Sequence, residues 1–187
     1  MDTDNIVVMY PGGFKPLTGA HIDLVQRYLN ISAVKKVVLF ISPSKREEVD
    51  AKIAMEVASS ILNDPRVEIV LDEQSYSPIL ACYRWVEDPK REPGTYVLAS
   101  SSKGDDYKRV KEFKDNYATK YKDNLPTGVV VSELTVDCSP LCYRSGQPIS
   151  ATRAREDIRD RNFEQFKDNY PQLNEDRVMK IWKKLVH

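Results

Sequence analysis

The sequence predicts an α/β fold in which a parallel five-stranded sheet has helices on both faces and a helical extension follows at the C-terminal end. The chain has 187 residues, enough for one domain with a full hydrophobic core. Apolar, β-branched runs alternate along it with stretches of helical spacing, which is typical of a parallel sheet wrapped by helices. We therefore expect a single domain over residues 1–187.

Each predicted strand is a short apolar run bounded by polar or turn-forming residues. The five runs are Ile6 to Met9, Val34 to Ile41, Val67 to Leu71, Thr95 to Ala99 and Gly128 to Val136.

The stretches between these runs have apolar residues at helical spacing. Two of these helices, Gly19 to Leu29 and Val49 to Leu62, are predicted to cover the sheet. A short helix is predicted from Pro78 to Glu87. The charged stretch Lys103 to Lys122 is predicted to be a largely solvated helix. Two further helices are expected, one opened by Ser150 and one from Glu175 to Val186.

Charge and hydropathy exclude several classes of partner. Acidic and basic residues balance at 28 each, so no overall field attracts nucleic acid or an anionic membrane, and a small molecule is the expected partner. The N-terminus from Met1 to Asn5 is acidic, where a signal peptide would be basic. Since no apolar stretch approaches the roughly 20 residues of a membrane span, a cytoplasmic location is expected.

The cysteines do not indicate a disulfide framework, because three of them cannot all pair with one another. Cys138 and Cys142 have a spacing compatible with metal ligands, but a closed zinc site needs four. Free thiols in or near a loop are favoured, and no metal-ligating residue is assigned.

The turn after the first strand carries most of the functional information. It runs from Tyr10 to His21 and joins a strand to a helix, the place where open α/β sheets bind ligands through the helix N-terminus. Gly12 and Gly13 let the backbone approach a ligand oxygen, and Gly19 starts the helix without a side chain in the way. His21 is the only histidine before the C-terminal one and is expected to point toward the same pocket.

The spacing of this turn matches neither the Gly-x-x-x-x-Gly-Lys-Ser/Thr phosphate loop nor the dinucleotide fingerprint. It resembles the Gly-x-Phe-x-Pro-x-His/Thr-x-Gly-His signature of the nucleotidylyltransferase superfamily, in the Thr form found in phosphopantetheine adenylyltransferases. The residues in register are Tyr10, Pro11, Gly12, Phe14, Pro16, Thr18, His21, Ile22 and Asp23.

Two later segments extend the resemblance. Ile149 to Arg155 is similar to the superfamily's Ile-Ser-Ser-Thr-x-x-Arg motif, and Ser42 to Lys45 is similar to the Ser-Pro-Ser-Lys segment of phosphopantetheine adenylyltransferases. Three matches in the right order, spanning Tyr10 to Arg155, are far more specific than any one of them.

The resemblance implies a Rossmann-like fold and a nucleotidyl transfer. In that reaction a phosphate oxygen of a small phosphorylated acceptor attacks the α-phosphorus of a nucleoside triphosphate in line, without a covalent enzyme intermediate, and pyrophosphate leaves with Mg²⁺ spreading its charge. ATP is favoured over CTP, because the Thr form of the turn and the Ser-Pro-Ser-Lys segment both point to the pantetheine branch. Phosphopantetheine and nicotinamide mononucleotide are both reasonable acceptors.

The resemblance also implies roles for individual residues. His21 would be the main transition-state donor at the α-phosphate, with Thr18 beside it, and Lys45 would reach phosphates of the acceptor or the triphosphate. These three form the predicted catalytic set. The predicted nucleotide-binding residues are Gly12, Gly13, Phe14, Thr18, His21, Ser150, Thr152 and Arg155, of which the last three would hold the β- and γ-phosphates. Lys15 is a further candidate for a phosphate contact.

The chain departs from the signature at Ala20, where the superfamily has glycine. This motivates a rival hypothesis, a nucleotide-binding module without turnover. Simpler explanations also remain for single residues: Ser150 and Thr152 as an ordinary helix cap, and Lys45 as a solvated loop lysine. The loop from Ser100 to Asp106 is a candidate contact for the base or the ribose of the nucleotide. The sequence leaves open whether the protein forms a homo-oligomer.

Overall fold

The computed structural model describes residues 5–101, 106–137 and 139–186, and it contains the predicted parallel sheet. The five strands lie in the order β3-β2-β1-β4-β5, and every neighbouring pair is parallel. Their bounds are β1 Ile6–Gly12, β2 Val34–Ile41, β3 Val67–Leu71, β4 Gly94–Leu98 and β5 Val129–Ser132. The predicted Rossmann-like α/β class is thereby confirmed.

In the described residues, helices lie in all six stretches that the sequence predicts, and a short helix at Phe163–Phe166 was not predicted. Their bounds are α1 Gly19–Leu29, α2 Ala51–Ile61, α3 Pro78–Val86, α4 Asp106–Ala118, α5 Ala151–Arg159, α6 Phe163–Phe166 and α7 Glu175–Leu185. Short 3₁₀ turns occupy Lys122–Asn124 and Lys167–Asn169. Side chains of Asp50, Ser77 and Asn174 accept hydrogen bonds from the amides three residues further on, which fixes where α2, α3 and α7 begin.

The sheet is buried on both faces, because consecutive residues of β1 point into different cores. Val8 packs in a cluster with the apolar faces of α1, α2, α5 and α7. Its neighbours Val7 and Met9 pack in a second cluster with α3 and α4. This alternation explains why the strands are continuous apolar runs in the sequence.

Two strand ends differ by more than one residue from the sequence-based boundaries, whereas both ends of β4 and the start of β5 differ by one. The first strand continues past Met9 to Gly12, whose carbonyl accepts a hydrogen bond of 3.0 Å from the Ser42 amide. The last strand ends at Ser132 instead of Val136, because the Leu134 carbonyl turns to the Tyr28 hydroxyl at 2.7 Å. These long-range contacts leave no signal in the local pattern.

The charged helix α4 is solvated along most of its length, as expected. Only Val110, Phe113 and Tyr117 are buried on it. The residues 102–105 that precede it lie outside the described part of the chain. Across the described ranges, no helix is long and apolar enough to cross a membrane.

The strand order determines where a ligand site is expected in this sheet. The chain moves outward from β1 to β2 and β3, then returns to place β4 on the other side of β1. Connections therefore leave the carboxyl ends of β1 and β4 in opposite directions, and such a point is where open α/β sheets bind ligands. The turn from Gly13 to Thr18 lies there.

Candidate functional site

Gly12 and Gly13 have different roles in the turn. A Cβ added to Gly12 would lie 2.9 Å from two ring atoms of Phe14, so the glycine makes room for that ring. Gly13 is exposed, and a Cβ added there would meet nothing within 4 Å. Only Gly13 therefore fits the sequence-based expectation of a backbone open to a ligand oxygen.

Phe14 is buried beneath the turn and packs against the imidazole ring of His21. Its φ angle is +51°, a left-handed conformation unusual for an aromatic residue, and the residue is only 2% exposed. The ring centroid lies 5.0 Å from those of both Tyr10 and His21, in edge-to-face contacts. The ring thus holds the imidazole of His21, whereas the sequence predicted that Phe14 would contact the nucleotide.

His21 is held in one tautomer. Its Nδ1 accepts a hydrogen bond of 2.9 Å from the Thr18 amide, and the Thr18 hydroxyl lies 3.2 Å from the same atom. An amide can only donate, so Nδ1 carries no proton and the neutral ring carries its proton on Nε2. Nε2 donates to no other described residue, and His21 retains contact with solvent.

Burial of the ring lowers the pKa of His21 to about 4. The imidazole is therefore neutral over the whole physiological range, and its Nε2–H is a neutral hydrogen-bond donor. Thr18, which is fully buried, fixes the orientation of this donor. The predicted pair of Thr18 and His21 is thus brought together, with Thr18 acting on the ring.

Lys15 lies almost fully buried under the turn. Its Nζ donates to the carbonyl of Gly13 at 3.0 Å and to that of Ser42 at 2.7 Å, which ties the turn to the end of β2. The pKa of Lys15 falls to about 8, first because of desolvation and then because Arg46 and Arg155 are close, although Asp50 opposes this. A lysine with this pKa remains mainly protonated at neutral pH and places a positive charge at the turn.

Arg155 connects the second motif to the first. Its Nη1 donates to the Lys15 carbonyl at 2.7 Å, and its Nη2 lies 3.3 Å from the Thr152 hydroxyl. The Arg155 Nε is buried and has no hydrogen-bond partner in the described part of the chain, and the Glu47 carboxylate lies 3.7 Å away as its ion-pair partner. The guanidinium therefore has donors that its protein neighbours do not use.

The other residues of the second motif are also near the helix start. Ser150 caps α5, and its hydroxyl accepts a hydrogen bond of 3.2 Å from the Arg153 amide. Both Ser150 and Thr152 are exposed, so their hydroxyls are accessible to solvent.

The loop after β2 contributes a cation that sequence reasoning missed. The motif lysine Lys45 is exposed, whereas its neighbour Arg46 is close enough to Lys15 to lower the pKa of that lysine. The sequence signal was available, since Arg46 directly follows the matched segment. The resemblance, however, drew attention only to Lys45.

Gly19 has a different purpose from the expected one. A Cβ added there would lie 2.7 Å from the side chain of Gln172 and 2.8 Å from the carbonyl oxygen of Asn169. The glycine therefore allows the C-terminal segment to pack closely on the start of α1. The expectation that it clears space for a ligand is wrong, because protein atoms fill that space.

A cavity of about 720 Å³ opens at the same edge of the sheet, between the ends of β2 and β3. Its apolar lining includes Phe40, Met55 and Trp85, and its polar lining includes Asp72 and Arg84, which form an ion pair of 3.2 Å. Gly12, Ile41 and Leu71 are in register across neighbouring strands. Two strand spacings, about 10 Å, thus separate the cavity wall from the turn.

Within the described ranges, no group of three or more histidine, cysteine, aspartate or glutamate side chains is arranged to hold a metal ion. Cys138 lies outside the described residues, as does the central part of the candidate base-contacting loop, residues 102–105. Cys142 is an exposed free thiol and Cys82 is a buried one.

Comparison with curated proteins identifies partial sequence relatives. The chain is 32% identical over 66 residues to a phosphopantetheine adenylyltransferase of Coxiella burnetii, covering 34% of this chain and 40% of the relative. It is 40% identical over 67 residues to the phosphopantetheine adenylyltransferase of Alkalilimnicola ehrlichii, covering 34% and 38%. The match spans about two fifths of the length of these relatives. No family model matches the chain.

Solved structures share the fold over nearly the whole chain. A nicotinic acid mononucleotide adenylyltransferase of Plasmodium falciparum, complexed with NaAD, aligns with a TM-score of 0.50 and 12% identity over 98% of this chain and all of that one. A bifunctional NMN adenylyltransferase/ADP ribose pyrophosphatase of Francisella tularensis, complexed with AMP and a manganese ion, aligns with a TM-score of 0.55 and 14% identity over 97% of this chain and 52% of that one. At these identities the likeness establishes the fold.

Proposed function

We propose that this chain, as a member of the nucleotidylyltransferase superfamily, transfers AMP from ATP to a small phosphorylated acceptor and releases pyrophosphate. The observation that carries the proposal is the neutral His21, whose Nδ1 is occupied by Thr18 and whose Nε2–H, at the start of α1, has no partner among the described residues. A fixed donor at a helix N-terminus is suited to an α-phosphate whose oxygens gain charge in the transition state.

The cations around the turn support a triphosphate site. Arg46 and Arg155 both lower the pKa of Lys15, which reflects the repulsion between each guanidinium and the ammonium. A bound polyphosphate relieves this repulsion by supplying the missing negative charge. In this proposal Arg155 and the hydroxyls of Ser150 and Thr152 hold the β- and γ-phosphates, while His21 donates to an α-phosphate oxygen.

The reaction needs positioning more than covalent chemistry. An acceptor phosphate oxygen attacks the α-phosphorus in line, the bond to the bridging oxygen of the pyrophosphate breaks, and no protein nucleophile takes part. The proposed task of His21 is to donate a hydrogen bond that strengthens as charge develops. Thr18 and Phe14 keep its ring aligned, through the 2.9 Å hydrogen bond and the 5.0 Å ring contact.

The cavity beside β3 is the proposed site for the organic part of the acceptor. It lies about two strand spacings from the turn, so an acceptor phosphate is able to reach the α-phosphate while the rest of the molecule occupies the cavity. Its walls combine apolar residues such as Trp85 with the ion pair of Asp72 and Arg84. This lining suits an acceptor that has both aliphatic and polar groups, as phosphopantetheine does.

Magnesium fits this site as a companion of the triphosphate. Because the described residues provide no carboxylate cluster, the phosphates themselves would carry the ion together with water, as Mg²⁺ commonly binds. When bound it supplies charge neutralisation for the leaving pyrophosphate. The protein's own proposed contribution is the buried positive charge of Lys15 at the turn and the guanidinium donors of Arg155.

The proposal is tested by pyrophosphate release from purified protein with ATP and MgCl₂, using phosphopantetheine, nicotinamide mononucleotide and nicotinic acid mononucleotide as acceptors in turn. We expect release with ATP and at least one acceptor, and much less with CTP. Release with CTP alone would favour a cytidylyltransferase, and no release with any pair would reject the proposed activity for the chain as given.

The contributions of Lys15 and Lys45 to ATP binding can be tested separately. Lys15→Met removes the buried charge and should raise the KM for ATP by roughly tenfold, because one cation is lost from the phosphate site. Lys45→Met is the matched control. It should have a smaller effect if the structure identifies the more important lysine, and a larger effect would restore Lys45 to the role that the sequence motif predicts.

The pH profile provides a second test of Lys15. Its ammonium is protonated below about pH 8 and loses its charge above it. The kcat/KM for ATP, which reports on the free enzyme, should therefore decrease above that pH. In Lys15→Arg the decrease should be absent over the same range, because arginine stays charged. A parent profile without this decrease would contradict the role of the Lys15 charge.

A binding module without turnover is the second candidate, and Ala20 is the observation that favours it. The residue is partly exposed at the start of α1, so its methyl lies where the superfamily signature has none. We expect Ala20→Gly to change the KM for ATP by less than about threefold in an already active protein, as for a small steric change. If pyrophosphate release occurs only after Ala20→Gly, the binding-module hypothesis is correct.

A further inference from the structure

Four residues near the C-terminal end, Asn169 to Gln172, contact the first phosphate motif and the helix that carries the second. They follow α6 and precede α7, far from either motif in sequence. We call them the C-terminal segment. Asn169 and Tyr170 are buried, whereas Pro171 and Gln172 are exposed. No local sequence pattern connects this segment with the site.

The first set of contacts reaches the turn after β1. The Tyr170 hydroxyl donates to the Leu17 carbonyl at 2.6 Å, and Gln172 Nε2 donates to the Gly19 carbonyl at 2.7 Å. These two carbonyls flank Thr18, the residue that fixes the tautomer of His21. The close packing allowed by Gly19 brings the segment onto the same spot.

The second set of contacts reaches α5. Asn169 Nδ2 donates to a carboxylate oxygen of Asp157 at 3.1 Å, and the Tyr143 hydroxyl donates to Asn169 Oδ1. The Ser150 amide lies 3.3 Å from the same hydroxyl, so the helix start that carries Ser150 joins the network. Burial raises the pKa of Asp157 despite the hydrogen bond from Asn169, which lowers it.

We propose that the C-terminal segment, chiefly through the Tyr170 hydroxyl, positions the start of α1 and with it His21 for the transfer step. The role rests on the proposed function, because it concerns the transfer step. Tyr170 itself has no contact with substrate and acts only through the start of α1. Each of the two carbonyls that flank Thr18 is held by a hydrogen bond from the C-terminal segment, so the backbone on both sides of this residue is fixed in place. The segment links the first phosphate motif to α5, and through Tyr143 to the Ser150 amide; the two motifs are also joined directly by the hydrogen bond of Arg155 to Lys15.

If the start of α1 were poorly held, kcat would decrease more than the affinity for ATP. The triphosphate is held mainly by cations in this proposal, whereas the transition state depends on the alignment of one donor. Small displacements of such a donor reduce turnover strongly.

The test is Tyr170→Phe, which deletes only the hydroxyl. We expect kcat to fall about tenfold while the KM for ATP changes less than about threefold. The matched control is Tyr96→Phe. Tyr96 is also a buried tyrosine whose hydroxyl donates to a backbone carbonyl, that of Glu92 at 2.8 Å. Glu92 precedes the amino end of β4, whereas the candidate site lies at the carboxyl ends of the strands. Both variants should lose about 3 °C in melting temperature, and only Tyr170→Phe should lose turnover.

A second measurement does not depend on turnover. The pKa of His21, followed by NMR, should rise in Tyr170→Phe by about half a unit or more, because a loosened turn admits water to the ring, and it should stay near 4 in Tyr96→Phe. This separates the two proposals. If the parent protein releases no pyrophosphate, the proposed function fails, and the His21 titration still tests the positioning role.

The positioning role is overturned if Tyr170→Phe keeps kcat within about twofold of the parent and leaves the His21 titration unchanged, or if Tyr96→Phe loses as much turnover. Should Tyr170→Phe fail to fold, Gln172→Ala provides the same test, because this exposed side chain donates to the neighbouring Gly19 carbonyl. It should reduce kcat about threefold without a shift in KM, and an unchanged kcat would then overturn the role.

Discussion

Replacing His21 with alanine should reduce the kcat for pyrophosphate release by on the order of 10² or more while ATP binding largely persists. The imidazole is neutral, its Nδ1 is occupied by the Thr18 amide at 2.9 Å, and its free Nε2–H is therefore the donor that is lost. Steady-state kinetics gives the change in kcat, and calorimetric titration with ATP gives the change in affinity. Equal turnover in variant and parent would remove His21 from the catalytic assignment.

The protonation state of His21 leads to a further expectation for the same experiment. Because burial lowers its pKa to about 4, the ring does not change charge between pH 5 and pH 8. The kcat/KM of the parent for ATP, which reports on the free enzyme, should therefore show no inflection near the ordinary histidine pKa of about 6.5. His21→Gln, which retains an N–H donor on a side chain of different shape, should recover part of the lost rate and confirm that hydrogen-bond donation matters.

Replacing Arg155 with alanine should raise the KM for ATP by roughly 30-fold or more, with a smaller change in kcat. The guanidinium spans the two motifs through the Lys15 carbonyl at 2.7 Å and the Thr152 hydroxyl at 3.3 Å, and it retains donors for phosphate oxygens. Arg155→Lys should recover little of the affinity, because an ammonium cannot donate in the planar, two-pronged geometry.

Arg153→Ala is the matched control for Arg155. It lies on the same helix, but its guanidinium bonds to Gln147 at 2.7 Å and stacks over the Tyr143 ring. The KM for ATP should change little in this variant. An unchanged KM in Arg155→Ala would remove Arg155 from the phosphate site, and a similar increase in both variants would indicate a general loss of positive charge.

The fold was predictable because its signals are local. The second and third strands have the bounds that the apolar runs predict, since strand identity depends on neighbouring residues and on burial of both faces. The start of α1 at Gly19 and its end at Leu29 follow equally from local pattern. Boundaries failed where distant contacts intervene, as when the Tyr28 hydroxyl draws Leu134 away from β5.

The candidate site was predictable in its parts but not in its arrangement. The motifs identified the turn, His21 and Arg155, because these residue types at these spacings are tied to one kind of phosphate chemistry. They did not indicate that Phe14 is buried under the imidazole or that Lys15 is the lysine close to both arginines. The roles assigned to the site residues remain predictions that the variants above address.

The sequence by itself determined the parallel α/β class, the position of the phosphate-type turn and the order of the three motifs, because each depends on residues that are close along the chain. Only the tertiary structure decided the pKa of His21, the burial of Lys15 and the role proposed for the C-terminal segment. The physical reason is distance along the chain. Arg155 and Lys15 are 140 residues apart, and Tyr170 and Leu17 are 153 apart, so no local pattern records that they form hydrogen bonds.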